Sequence, residues 1–135
     1  RAGYAGYYFH VEPGNSFAAG GIYRPSANSL KAIRTEIYEN TGRFKEIIYD
    51  PDFTEQFGTI VTDEKLKTAP KGFPKDFEDI ELLNYKDYTV LKPLDEDLLT
   101  SEALTEEIME AFETVYPLNQ FINEAIDFHT EESGY

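Results

Sequence analysis

The sequence predicts an α+β domain: an antiparallel sheet with two long helices packed on one face. Three observations carry this. Two short aromatic-rich strands separated by a turn open the chain. Two long stretches repeat apolar residues at helical spacing. A third alternating strand lies between them. At 135 residues the chain suits one domain with a real core, read here as 1–130, followed by a frayed tail over 131–135. Ten Tyr and ten Phe argue against disorder.

The elements follow in order. Tyr4 to Val11 reads as a strand, with Tyr7, Phe9 and Val11 alternating with Tyr8, His10 and Glu12. Pro13-Gly14-Asn15 marks a turn, and Phe17 to Tyr23 returns antiparallel. Gly20-Gly21 inside that second strand suggests a bulge, or close approach by a backbone or a ligand. The first long helix starts after Pro25, with Ser26 or Asn28 as cap, and carries Leu30, Ile33, Ile37, Phe44 and Ile48 on one stripe. Thr41-Gly42 interrupts it or marks a close approach, and Pro51 ends it. Asp52 to Phe57 reads as a short helical turn, Ile60 to Lys67 as a short strand of ambiguous pattern, Ala69 to Lys75 as loop, and Lys75 to Leu83 as a short helix. Tyr85 to Leu91 is the third strand and Asp95 to Thr100 a linker. Thr100 or Ser101 caps a last helix with Leu104, Ile108, Ala111, Phe112 and Val115 on one stripe, continued by Leu118, Phe121, Ile122, Ala125 and Ile126, which Pro117 is expected to kink or split.

Net charge is −14, which argues against nucleic acid as a partner, since phosphate-backbone affinity comes from Lys and Arg. The charge is uneven. Residues 1–92 hold all twelve basic and fourteen acidic residues, whereas 93–135 hold twelve acidic residues and no basic one. The last helix is therefore either a solvated acidic face or a surface for a basic partner segment. With no Cys, disulfides, thiolate metal sites and cysteine nucleophiles are excluded. No apolar run approaches the roughly 20 residues that span a bilayer, and no charged-then-apolar leader opens the chain, so neither a membrane nor a secretory signal is expected.

Chemistry-bearing residues are few. His10 and Glu12 share a strand face, so the carboxylate can orient the imidazole as an acid–base pair. The plain alternative is the polar side of a half-exposed hairpin. His-x-Glu also opens the zinc deaminase signature, which fails without its cysteines. His129 stands far from other ligand candidates, so no metal and no cofactor are expected. The loop Lys65–Lys75 holds four lysines, and Lys67 and Lys71 from it with Arg24 and Arg34 form a candidate site for an anionic or phosphorylated small molecule. Its alternative is an ordinary solvated loop, for it matches no dinucleotide or P-loop spacing. Tyr4, Tyr7, Tyr8 and Tyr23 offer an aromatic platform for a base or sugar, or simply cross-strand packing.

Taken together, Gly6-Tyr-Tyr-Phe-His-Val-Glu-Pro-Gly14, Gly20-Gly-Ile-Tyr-Arg-Pro25, Leu30-Lys-Ala-Ile-Arg34, Leu66 to Asp76 and Pro117-Leu118-Asn119 resemble the uncharacterised family catalogued as domain of unknown function 2461. The resemblance runs from about Ala5 to Ala125. It implies a bacterial, cytoplasmic protein and no established activity. It also implies that the chain is the C-terminal part of a longer protein whose arginine-rich segment precedes Arg1. From this follow two expectations: that a basic segment packs near the acidic helix or the His10–Glu12 face, and that an uncovered sheet favours a homo-oligomer. Function is thus expected to be either small-ligand binding at the cationic cluster beside His10 and Glu12, or protein interaction through the acidic helix.

Overall fold

Strands β1 (Gly6–His10), β2 (Ser16–Ile22) and β3 (Tyr88–Leu94) form an antiparallel sheet in the order β1-β2-β3. This computed structural model describes residues 2–61 and 65–133, the last three in backbone only. Three helices follow the hairpin: α1 (Ala27–Glu39), α2 (Thr41–Ile48) and α3 (Pro51–Phe57). A 3-10 turn (Ile80–Leu83) precedes β3, and α4 (Glu96–Leu99) and α5 (Leu104–Ser133) complete the chain. The fold is α+β, as the alternation of patterns predicts.

Local chemistry explains the boundaries. Ser26 caps α1, its Oγ accepting the Ser29 N–H at 3.1 Å. The stripe read as one helix to Ile48 is broken at Asn40, whose backbone leaves the helical region (φ −131°, ψ 50°). Thr41 Oγ donates back to the Ile37 carbonyl at 2.7 Å, so the side chain satisfies an acceptor that the break leaves over. Pro51 opens α3 rather than only ending the helix before it, because Asp50 caps the Asp52 and Phe53 N–H groups.

Four expectations are corrected. Lys75 to Leu83 forms one 3-10 turn over its last four residues instead of a helix. The third strand starts at Tyr88 and runs to Leu94, later than read. And Pro117 does not split the last helix: α5 continues through it. Pro117 and Glu113 are both exposed, so the missing bond lies on the outer side of α5, away from the core. The short strand read over Ile60 to Lys67 is reduced to single bridges, Val61 to Thr89 and Lys65 to Tyr85, and 62–64 lie outside the described residues. The tail read as frayed falls partly outside them too, although α5 reaches Ser133.

The core lies between the sheet and α5. Ala18, Gly20 and Ile22 of β2 with Tyr88 and Val90 of β3 present one face, and Ala111, Val115, Leu118 and Ile122 of α5 cover it. Gly20 permits this contact, because a Cβ there would stand 2.5 Å from Val115 Cγ2. Helix α1 packs mainly on α5 and brings Ile33 and Ile37 into the same core. At its centre the Phe44 ring meets those of Tyr88 (6.2 Å) and Phe121 (5.2 Å).

Tyr88 is fully buried and its hydroxyl donates to the Leu82 carbonyl at 2.7 Å. Burial pushes its phenol up, with the nearby Arg34 pulling the other way. The unfolded chain releases this proton near pH 10, whereas the folded protein keeps it. The stabilisation is therefore complete below about pH 10 and is lost as pH rises beyond it. Urea midpoints measured across that range should fall with rising pH, and Tyr88→Phe should flatten the slope. An unchanged slope would show that another group sets the alkaline limit.

Candidate functional site

The β1–β2 turn builds the first part of the site. The Asn15 N–H closes onto the Glu12 carbonyl at 2.9 Å, and Ser16 Oγ accepts the Glu12 N–H at 3.0 Å. This holds the Glu12 side chain against the end of β1, where His10 Nε2 lies 3.0 Å from Glu12 Oε1. Asn15 Nδ2 donates to the same oxygen at 3.0 Å. The bond from His10, then that from Asn15, hold the Glu12 carboxyl below its usual range. The imidazole stacks on Phe17 with ring centres 4.9 Å apart. The strand spacing thus brings His10 and Glu12 together as a pair half open to water.

His10 belongs to a wider surface. On the face of the sheet opposite α5, an open-sided concavity of about 760 Å³ is lined by Tyr8, His10, Phe17, Tyr23, Thr89 and Leu91 among others. Asp87 reaches its floor and is 6% exposed. It accepts the backbone N–H of Arg24, which helps hold Arg24 at φ 48°. The Arg24 guanidinium lies over the Tyr23 ring, 5.1 Å from its centre. Of the aromatic platform read from sequence, Tyr7, Tyr8 and Tyr23 line this concavity, whereas Tyr4 donates to Asp127 Oδ1 at 2.7 Å.

The four cationic candidates have separate surroundings. Arg24 stays with Tyr23. Arg34 turns inward, its Nη2 donating to the Tyr85 carbonyl at 2.9 Å, and burial lowers its pKa. Lys67 and Lys71 are exposed on the loop, whose Phe73, with Phe77 just beyond it, seats against Tyr38 of α1. Lys65 sits over the Tyr85 ring at 4.5 Å. None of these cations lines the sheet-face concavity. His129 joins α5 to α1 through Glu36 Oε1 at 2.9 Å, a bridging role that its position near the chain end did not suggest.

A second surface was not legible as such. Asp50, Asp52 and Glu55 at α3 face Glu107, Glu110 and Glu113 of α5 across a trough of about 670 Å³. Lys92 reaches into it and bonds Glu107 Oε2 (3.0 Å) and Gln56 Oε1 (3.1 Å). Spacing along the chain places the α5 carboxylates on a solvent face but cannot show that α3 lies opposite. Among the described residues no group of acids and histidines is arranged to hold a metal. Nor is any helix among them long and apolar enough to cross a membrane.

A family model described as a conserved hypothetical protein, DUF2461, matches residues 1–121. The chain belongs to this family. The DUF2461 family has no assigned function. No curated protein and no solved structure matches the chain. Several residues within the DUF2461 resemblance are occupied with the fold: Gly20 under Val115, Arg34 on Tyr85, and Asn119, whose amide bonds the Gly21 N–H (2.8 Å) and the Gly6 carbonyl (2.9 Å). His10, Glu12, Tyr23 and Arg24 are among those that remain exposed, together with Tyr7, Tyr8, Lys67 and Lys71.

Proposed function

We propose that this DUF2461 domain is a binding module whose ligand is a small, flat, anionic molecule held on the open face of the sheet. One observation carries the reading: aromatic walls at Tyr8, Phe17 and Tyr23 flank a concavity large enough for such a ligand, with Arg24 stacked beside it. A flat ring would stack on those walls, and its anionic group would reach Arg24 and the His10 imidazole. Glu12 keeps His10 oriented, and the pair is an acid–base device only if the ligand brings a labile proton to it. Lys67 and Lys71 are left out of this site, and Arg34 serves as support. The family resemblance supports a bacterial, cytoplasmic setting.

A thermal-shift screen against nucleotides, aromatic carboxylates and sugar phosphates tests this. A ligand at about a hundredfold its Kd should add about 2.7 kcal/mol of apparent stability. Arg24→Ala and His10→Ala should each abolish the shift while changing the unliganded protein by no more than about 0.5 kcal/mol, as exposed substitutions do. A panel with no stabilising compound, or one whose hits survive both substitutions, would sink the proposal.

The acidic trough favours a second reading, that α3 and α5 receive a basic protein segment. Six carboxylates there stand against the one amine of Lys92. Such binding would weaken steeply with salt.

A further inference from the structure

The outer edge of β1 has no strand beside it among the described residues. An antiparallel strand paired on one side turns every second N–H and C=O outward, ready to pair with another chain. Proteins usually blunt such edges with Lys, Pro, a bulge or a covering segment. The opposite edge of this sheet does so: β3 contains Lys92 and Pro93, and the Val61 N–H bonds the Thr89 carbonyl at 2.8 Å. Among the described residues β1 has none of these devices. It reads Gly-Tyr-Tyr-Phe-His, with Tyr7, Tyr8 and Phe9 exposed by 43%, 47% and 43%.

The surroundings of the edge suit an added strand on both faces. On the helix side Tyr7 meets Phe112 at 5.2 Å and opens onto an apolar well of about 500 Å³ shared with Met109 and Tyr116. On the other side Tyr8 borders the sheet-face concavity. Charge selects the occupant. Glu113 rims the well, Glu12 stands just past the end of β1, and the chain carries −14 overall. A second copy would bring the same negative charge to the same rim, whereas a basic segment is attracted there.

We propose that β1 accepts an extended, basic segment of another polypeptide as a fourth strand. Its main chain would pair with the outer edge of β1. Its apolar side chains would enter the Tyr7–Phe112 well, and its Lys or Arg side chains would lie over Glu113 and Glu12. This is a site for a polypeptide backbone, and it stands whether or not the sheet face also holds a small molecule.

The test uses the whole chain, isotope-labelled, with an end-capped peptide of alternating Lys and Val as probe and one of alternating Lys and Ser as control. The Lys-Val peptide should slow amide exchange at β1 by about tenfold or more, and the equally charged control should not. Tyr8→Lys, which charges the edge, should weaken Lys-Val binding by about tenfold while the far-UV spectrum stays native. If that variant does not fold, the protection pattern in the unmodified protein decides alone. Three results would overturn the proposal: perturbation confined to the α3–α5 trough, equal binding of both peptides, or β1 protection that appears on concentrating the protein by itself. The last would make a second copy the occupant.

Discussion

Replacing Gly21 by alanine should destabilise the domain by about 2–5 kcal/mol, adding roughly 1–2 for a left-handed residue to roughly 1–3 for overpacking. Gly21 stands at φ +92°, and a Cβ there would fall inside the contact radius of the Tyr88 carbonyl oxygen. Because the atom it meets is backbone of the neighbouring strand, no side chain can swing aside, and the upper half of the range is expected. The register around it is fixed on both sides, Gly6 opposite on β1 and Thr89 on β3, so relief would shift two strand pairings at once. Urea unfolding should show a lower midpoint with an unchanged slope. A loss below about 0.5 kcal/mol, the size of an ordinary surface change, would show that the strand yields there.

Asn119→Leu should cost about 2–4 kcal/mol, because the change keeps the volume but strips a buried donor and an acceptor of their partner. Asn119 is 3% exposed. Its carboxamide oxygen receives the Gly21 N–H and its nitrogen serves the Gly6 carbonyl, so one side chain joins α5 to both β1 and β2. Leucine would leave the Gly21 N–H unpaired against the helix. Amide exchange should then rise first at Gly21 and along β1, ahead of β3 and the α5 core. Uniform loosening of the whole domain would contradict a local role.

Much of the architecture was legible because it rests on local chemistry. The Tyr7–Val11 alternation and the Pro13-Gly14-Asn15 turn give the β1–β2 hairpin directly. From Ala111 onward the apolar stripe of α5 is mostly buried, while Leu104, Ile108 and Phe112 are half-buried, and Ser26 is one of the two caps that the pattern before α1 offers. What failed depends on where distant segments lie. Pro117 reads as a breaker, and only its exposure shows why the helix survives it. The break between α1 and α2 falls at Asn40, one residue before the Thr41-Gly42 pair that the sequence offers as an interruption. At the site, the His10–Glu12 pairing follows from the two-residue period of a strand. The grouping of Arg24, Arg34, Lys67 and Lys71 had only charge to recommend it, and charge does not reveal that Arg34 turns toward Tyr85. The helix that closes on Gly20, and the facing of α3 by α5 across the trough, are tertiary facts with no local signature.

The anchoring of β1 has a consequence for how the chain assembles. The Ala5 N–H bonds Asn123 Oδ1 at 2.8 Å, Gly6 bonds Asn119, and Tyr4 bonds Asp127, so three positions one helical turn apart on α5 hold the opening segment. These bonds join residues 113 to 123 positions apart. Loop-closure entropy must be overcome before any of them forms, which sets a slow step for a domain otherwise rich in local helix. During synthesis β1 is made well before α5, its permanent support. Until α5 has emerged, the aromatic hairpin waits with its helix side bare, and this interval is when the nascent domain is most open to a wrong partner or to a chaperone.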